Sequence, residues 1–265
     1  MTRHCLGATL LCLLCVACSK RRSKPAEPEP PVLDEVAAAR IADELDQSLM
    51  RSVVACRALA ENARIRAFYV DREEPHRVLT VLRDLVMRAR AMRASLLDDQ
   101  GVVIASTDPG TVGYDFSQWR FFEEASRGRV VILPSVGFAS DRRDLFVIVP
   151  VKGDDCEPRG AAVLRTPVGP LDRALADLPE PSAVVFRDRY VLATNRPRWG
   201  FHGLRRLDER GNPVDLDDRD LLGVLDSVVP PIGETIQAEG VRYDVHRWPM
   251  FLAEWHLLVC VPRDD

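Results

Sequence analysis

Apolar and polar positions divide this chain into a helical first part and a strand-rich second part. From Val32 to about Phe68 the apolar residues recur every three or four positions, the spacing of an amphipathic helix. These positions are Leu33, Val36, Ile41, Leu45, Leu49, Val53, Cys56 and Ala60. A second stripe begins near Glu74, where Pro75 suits a first helical turn. We therefore predict one long and one shorter helix within residues 33–93. A coiled-coil stem is the alternative, but the stripe is wide and lacks sustained heptads.

Short apolar runs, typical of strands, follow the helices. Two of them flank Asp98–Gly101, whose Asp and Gly are preferred at the ends of a type I turn. Residues 96–107 therefore predict a β-hairpin. A polar segment with several aromatic residues comes next, over 114–125. Three further strand-like runs cover residues 130–138, 145–151 and 160–168. This order predicts an antiparallel sheet with a pocket beneath the aromatic segment.

The hairpin pattern occurs a second time, in residues 184–195. When the two copies are aligned, Val103 matches Val191 and Ala105 matches Ala193. A single repeat of this kind indicates two related lobes and not a repeat array. The other elements predicted here are a helix over 171–178, a helix from Arg219 to Val229 capped by Asp217 or Asp218, and closing strands over 240–248 and 255–261.

Four stretches of the sequence together indicate a known family: LLDDQGVVIAST, GYDFSQWRFFEEASRG, LFVIVPV and GAAVLRTPV. They resemble the double Cache family of extracytoplasmic sensor domains. The resemblance covers most of residues 33–265 and is densest from 94 to 168. It implies an α+β fold in which a long N-terminal helix is the spine of two PAS-like antiparallel-sheet lobes. The membrane-distal lobe would span 94–170 and the second lobe 171–265.

The first 32 residues predict an export signal and a tether. Residues 1–18 have a weakly basic start and an apolar run of signal-peptide length, too short to span a bilayer. They end in LCVAC, which resembles a bacterial lipobox with Cys18 as the lipidated residue. Cys15 departs from the usual leucine and basic residues follow directly, so an uncleaved signal anchor is the alternative. The proline-rich stretch 19–32 predicts an extended tether. We expect a lipid-anchored protein of the bacterial cell envelope, facing the periplasm or the exterior.

Composition and motif content exclude several classes of function. A net charge of −4 does not fit a nucleic-acid-binding surface. No nucleophile elbow, phosphate-binding loop or zinc-protease motif is present. The acidic run 215–220 lacks the glycine and glutamate of an EF-hand loop. We therefore expect no enzyme, no cofactor and no metal site.

Three cysteines remain beyond the signal and lipidation segment, an odd number. We expect Cys56, on a helix, and Cys260, in an apolar strand, to be buried, and Cys156, in a polar loop, to be exposed.

The aromatic segment supplies the candidate binding residues. In amino-acid-binding relatives, the resemblance implies an arginine for the ligand carboxylate and an aspartate for its amino group. Here Trp119 occupies the arginine position and Arg165 the aspartate position. An aromatic wall of Trp119, Phe121 and Phe122 beside one cation suits a carboxylate with an apolar body. Tyr114 and Phe138 would lie near the rim. Alternatively, the aromatic rings fill the pocket and Arg165 pairs with Asp144 or Glu123.

Two functions from different classes fit these expectations. Receptors of the family usually continue into a transmembrane helix and an output module, whereas this sequence ends at Asp265. The first interpretation is therefore a lipoprotein that senses a small molecule and passes its state to a separate transmembrane partner. The second is a structural or adaptor lipoprotein that keeps the fold without a ligand.

Overall fold

The computed structural model describes residues 35–136, 143–186, 190–199, 202–204, 225–229, 235–238, 240–251 and 255–263. All of them belong to one compact unit, residues 32–265. The helices are α1 (Glu35–Ala60), α2 (Ala63–Asp71), α3 (Pro75–Ala89), α4 (Arg120–Ser126) and α5 (Gly169–Leu175). Among the described residues, no helix combines the length and the apolar character needed to cross a bilayer.

The predicted single helix to Phe68 is wrong, because the helix is interrupted at Glu61 and Asn62. The Asn62 side chain accepts hydrogen bonds from the backbone N–H groups of Arg64 and Ile65, at 3.0 and 3.4 Å. Asparagine is a favoured N-cap, so it ends α1 and begins α2. Ile65 and Phe68 are nevertheless buried, which explains why the apolar spacing gives no sign of the break.

The first sheet contains the predicted hairpin and the three strands expected after it. Its strands are β1 (Arg93–Leu97), β2 (Val103–Ser106), β3 (Val131–Val136), β4 (Arg143–Lys152) and β5 (Pro158–Pro167), in the order β2-β1-β5-β4-β3. At the hairpin turn, Asp98 Oδ1 accepts hydrogen bonds from the N–H groups of Gln100 and Val102, at 3.0 and 2.9 Å. Gly101 has a φ of 87°, and a Cβ there would lie 2.8 Å from the Ser117 nitrogen. The turn therefore requires glycine.

The second sheet repeats the first and extends it. Its strands are β6 (Ser182–Phe186), β7 (Tyr190–Thr194), β8 (His202–Leu204), β9 (Leu225–Val229), β10 (Thr235–Ala238), β11 (Val241–Pro249) and β12 (Trp255–Pro262). The order is β10-β11-β12-β6-β7-β8-β9. Read from β7 to β10, the five strands β7-β6-β12-β11-β10 reproduce the order of the first sheet, and β8 and β9 are added at one edge. The closing strands β11 and β12 were predicted, whereas β8 and β10 were not.

The two hairpins share one register, which confirms the internal repeat. In the first, Leu96 pairs with Ala105 and Leu97 with Val103. In the second, Val184 pairs with Ala193 and Val185 with Val191. Each ladder is irregular at the same step, between Leu96 and Leu97 and between Val184 and Val185. Val103 and Val191 are therefore equivalent residues of two related sheets.

The helix predicted from Arg219 to Val229 is wrong over its last five residues. Leu225–Val229 forms strand β9, which pairs in parallel with β8. Its two terminal valines are β-branched and favour a strand. The remainder of that prediction, including Asp217 and Asp218, lies outside the described residues.

Helix α1 packs against the inner faces of both sheets, as the predicted spine does. The shared core joins Leu45, Leu49 and Val53 of α1 to residues of the first sheet such as Val147 and of the second sheet such as Leu257. The Cys56 thiol donates to the carbonyl oxygens of Val147 and Ala162, at 3.5 and 3.4 Å. Asp46 Oδ2 accepts from the Phe251 N–H at 2.7 Å. The α+β architecture of one spine and two sheets is confirmed, and the strand pairing is antiparallel except between β8 and β9.

The three cysteines have the expected environments: Cys56 and Cys260 are buried and Cys156 is exposed.

Candidate functional site

The outer face of the first sheet, turned away from α1, is covered by α4. Alternation along each strand places Leu97, Val103, Ile148, Ala161 and Val163 on this face. From α4, Phe121 and Phe122 are buried against them. We call this layer the α4 face. It contains the aromatic segment that the sequence singled out.

Three aromatic rings of the α4 face contact one another. The ring centroid of Trp119 lies 6.2 Å from that of Phe116 and 6.0 Å from that of Phe121, and Phe116 and Phe121 are 5.6 Å apart. Aromatic pairs at these distances attract each other beyond their simple burial. Phe121 is buried, whereas Trp119 is only half-buried. The contacting rings are thus Phe116, Trp119 and Phe121 and not the predicted set with Phe122, and Trp119 and Phe116 are the half-buried members.

Arg165 lies on the same face of β5 as Val163 and forms an ion pair with Asp144 of β4. Its Nε donates to Asp144 Oδ2 at 2.7 Å, and its Nη2 also contacts Oδ2. Glu123, the other partner considered from the sequence, pairs instead with Arg127 at 2.6 Å. Arg165 is therefore not a vacant cation, and the expectation of a free anchor for an anionic ligand needs revision.

Phe146 connects this ion pair to the aromatic rings. The guanidinium carbon of Arg165 lies 5.7 Å from the Phe146 ring centroid, within range of a cation–π contact. Phe146 in turn packs against the buried cluster of the α4 face. The candidate cation and the candidate aromatic wall thus belong to one continuous layer.

Asp144 carries a buried carboxylate of which only one oxygen is paired. Its side chain is 1% exposed. Oδ2 is held by Arg165, but Oδ1 has no hydrogen-bond partner among the described residues. Leaving a buried acceptor unsatisfied costs about 1–3 kcal/mol. A donor supplied from outside the described chain would remove this cost, so Oδ1 is a candidate ligand contact.

The remaining predicted residues are less informative. Tyr114 is 59% exposed, at the margin of the α4 face. Phe138 lies outside the described residues. Sequence reasoning missed Phe116 and Phe146 as members of the layer. Counting back from Ile148 in steps of two along β4 would have placed Phe146 and Asp144 on the outer face.

Metal binding finds no support in the described part of the chain, where no group of three or more His, Cys, Asp and Glu side chains is close enough to hold an ion.

No family model matches the sequence, and no curated protein matches it. Solved structures do resemble it. The sensor domain of the V. cholerae histidine kinase DctB has a TM-score of 0.68 at 15% identity, covering 87% of this chain and 96% of that chain. The ligand-binding domain of the Pseudomonas aeruginosa chemoreceptor PctC, in complex with GABA, has a TM-score of 0.60 at 15% identity, covering 84% and 96%. The ligand-binding domain of the Pseudomonas fluorescens chemoreceptor CtaA, in complex with L-isoleucine, has a TM-score of 0.59 at 14% identity, covering 85% and 89%. Together with its spine and two matching sheets, this likeness establishes that the chain has the double Cache fold.

Proposed function

We propose that this protein is an extracytoplasmic sensor that binds a small molecule at the α4 face. The observation that carries the proposal is the buried, half-paired carboxylate of Asp144 beside Arg165 and the aromatic rings. Similar solved structures support it, because two of them are ligand-binding domains of chemoreceptors in complex with small molecules. Perturbed or unsatisfied polar groups in such a layer are frequent marks of a functional site.

The Asp144–Arg165 pair changes the ligand chemistry that the sequence suggested. Because Asp144 neutralises Arg165, a ligand carrying only a carboxylate gains less than it would at an unpaired arginine. Asp144 Oδ1 needs a hydrogen-bond donor, and Arg165 Nη1 takes no part in the contacts with Asp144. A ligand with a donor beside an acceptor satisfies both atoms, and its apolar body would contact Trp119. The pair therefore favours a small bifunctional polar molecule with an apolar group.

We propose the cellular arrangement that the sequence predicts. Cys18 would carry lipid and anchor the protein to a bacterial membrane. The tether 19–32 would hold residues 33–265 in the periplasm or outside the cell, where a separate transmembrane partner would receive the signal. Mass spectrometry of the protein extracted from membranes should find an N-terminus at Cys18 with added acyl mass. A mature chain that keeps residues 1–17 would replace the lipoprotein by a signal-anchored protein.

The test of ligand binding is a thermal-shift screen of residues 32–265, a compact unit with its own core. A ligand that binds only the native state adds about 2.7 kcal/mol of stability at one hundred times its dissociation constant. We expect a compound with an amino or amide donor beside an acceptor to raise the melting temperature. Trp119→Ala should abolish the shift.

The matched control is Trp248→Ala, which removes another half-buried tryptophan, from β11 of the second sheet. It should leave the shift intact. A shift that survives Trp119→Ala but disappears in Trp248→Ala would move the ligand away from the α4 face and refute the proposed site.

A structural or adaptor protein without a ligand is the second candidate. The observation in its favour is that Phe121 and Phe122 are buried where a ligand body would lie and that Arg165 already has a partner. Under this alternative no compound shifts the melting temperature, and Trp119→Ala leaves association with the membrane partner unchanged.

A further inference from the structure

A cavity lies apart from the α4 face, between α1, α3 and the start of α5. Its volume is about 770 Å³, within the range of small-molecule sites. The lining comes from α1, α3, the ends of β4 and β5, and α5. No residue of α4 and none of the three contacting aromatic rings takes part. The cavity is therefore independent of the site proposed above.

Four arginines line this cavity: Arg51 of α1, Arg88 and Arg90 at the end of α3, and Arg173 of α5. No aspartate or glutamate is among the lining residues that the structure describes. Arg88 lies 3.6 Å from Asp84 in an exposed pair, and such pairs are weak. Within the described part of the chain the other three have no ion-pair partner. Cations from three separate helices thus share one concave surface, and among the described residues only Arg88 has an ion-pair partner.

The floor of the cavity is apolar and contains one unsatisfied hydroxyl. Leu49, Leu145 and Leu171 are buried and line it. Thr166 also lines it and is 6% exposed. Its Oγ1 has no hydrogen-bond partner among the described residues. A buried hydroxyl without a hydrogen-bond partner lowers the stability of the fold, so a ligand that bonds to it would remove that loss. The arginines beside the apolar floor suit a ligand with one charged and one apolar end.

We infer that this cavity binds an amphiphilic organic anion, with a carboxylate or phosphate head held by Arg51, Arg90 and Arg173 and an alkyl or aryl body on the leucine floor. Guanidinium groups bind both kinds of head through paired, charge-assisted hydrogen bonds. Arginines near the end of α3 also interact favourably with its dipole, but that effect acts on stability and needs no ligand. Binding and stability therefore have to be measured separately.

The probe for this inference is decanoate, titrated calorimetrically into residues 32–265 below its micelle concentration. The charge-removing variant is Arg51→Gln with Arg173→Gln. Its matched control is Arg57→Gln with Arg83→Gln, because both residues are exposed on α1 and α3 and neither lines the cavity. We expect the first variant to weaken decanoate binding about tenfold or more and the control to change it less than about twofold. Equal weakening in both variants would mean general attraction to net charge and would refute the site.

The apolar contribution is tested with a shorter anion and a blocked cavity. Acetate, which has the head without the body, should bind far more weakly than decanoate. Ser52→Phe, a substitution at a lining residue, should remove decanoate binding while all four arginines remain. Equal affinities for acetate and decanoate would reduce the cavity to a plain anion site.

Two further arms separate the possible sources of the anion. Decyl phosphate in place of decanoate shows which head group is preferred. Sedimentation with phosphatidylglycerol vesicles, without any binding of the free amphiphiles, would assign the arginines to a membrane surface and overturn the inference. Arg165→Leu should leave decanoate binding unchanged, because Arg165 does not line the cavity. The proposal for the cavity and the proposal for the α4 face can therefore be refuted independently.

Discussion

The outer faces of the two sheets have the same backbone frame but carry different side chains. Leu96 pairs with Ala162 of β5, and its equivalent Val184 pairs with Leu257 of β12. Ala162 and Leu257 are therefore equivalent positions. Three residues further along the same two strands, Arg165 of β5 is equivalent to Cys260 of β12. Extending the match across the neighbouring strands makes Asp144, Phe146 and Arg165 of the first sheet equivalent to Tyr243, Val245 and Cys260 of the second. An ion pair and a phenylalanine in one sheet are thus replaced by a phenol, a valine and a thiol in the other.

The difference shows that the frame does not require the ion pair. Cys260 belongs to a small apolar cluster, with Tyr243 and Val245 packed against it. Taking two charges out of water is expensive, and apolar residues at such positions are often at least as stabilising. The Asp144–Arg165 pair is therefore best understood as a specialisation of the α4 face. The predictions below test whether the two faces differ in this way.

The largest expected difference is between two tryptophans. Trp199 is buried in the cluster of the second outer face, at 8% exposure. Trp199→Ala should lower the free energy of unfolding by about 4 kcal/mol, as for other buried aromatic residues. Trp119→Ala, on the half-buried ring of the α4 face, should lower the free energy of unfolding by only about 1 kcal/mol, because less buried apolar surface is lost. Urea denaturation of residues 32–265 measures both. Similar losses would mean that Trp119 is a core residue like Trp199.

Removing Arg165 comes next. Arg165→Leu leaves the Asp144 carboxylate buried without a counter-charge, so we expect a loss of about 3 kcal/mol in the free energy of unfolding. Asp144→Asn combined with Arg165→Leu removes the charge as well and should recover most of that loss. If the single variant costs less than about 1 kcal/mol, the ion pair is exposed to water in solution and Asp144 is not a buried anchor.

The repeated hairpins should respond equally to equal changes. Val103→Ala and Val191→Ala each delete two buried methyl groups at equivalent positions. About 2 kcal/mol should be lost in each case. A difference above about 1 kcal/mol between the two denaturation midpoints, converted with a common slope, would show that the two faces are packed to different densities.

The smallest expected effect concerns the two buried cysteines, Cys56 and Cys260, which should not react with an alkylating reagent. Burial raises the pKa of the Cys260 thiol to about 12, and that of Cys56 also to about 12. At pH 8 only about one part in ten thousand of either thiol is ionised, and the thiolate is the reactive form. In native residues 32–265, iodoacetamide should modify Cys156 and spare the other two, as read by mass spectrometry. Rapid labelling of Cys260 would show that the second outer face opens readily.

Much of the fold was predictable because its signals are local. Apolar spacing located the helices, and the repeated hairpin indicated two related sheets. The break at Asn62 was not predictable from spacing, since the apolar stripe continues through it. Strand β9 was mistaken for a helix because its partner β8 lies about twenty residues away along the chain, beyond the reach of a periodicity argument.

The candidate site was also predicted only in part, because its arrangement depends on contacts between residues that are distant in the sequence. The sequence identified Trp119, Phe121 and Arg165, and the structure places all three on one face. Whether Arg165 is free depends on the register between β4 and β5, which sets Phe146 opposite Arg165 and brings Asp144 beside it. That register pairs residues that are far apart in the sequence, such as Phe146 and Arg165. Local sequence therefore suggested Asp144 as a partner without deciding it.

Hydrogen bonds at two points along α1 restrict how this molecule can move. Asp46 is bonded to the backbone at Phe251, and Cys56 is bonded to the first sheet, ten residues or about 15 Å along the helix axis. Sliding α1 along its axis would break the hydrogen bonds at both points at once. A change in the angle between the two sheets would instead bend the helix between these points. The hydrogen bonds at these two points therefore favour bending of α1 over sliding of α1 along its axis.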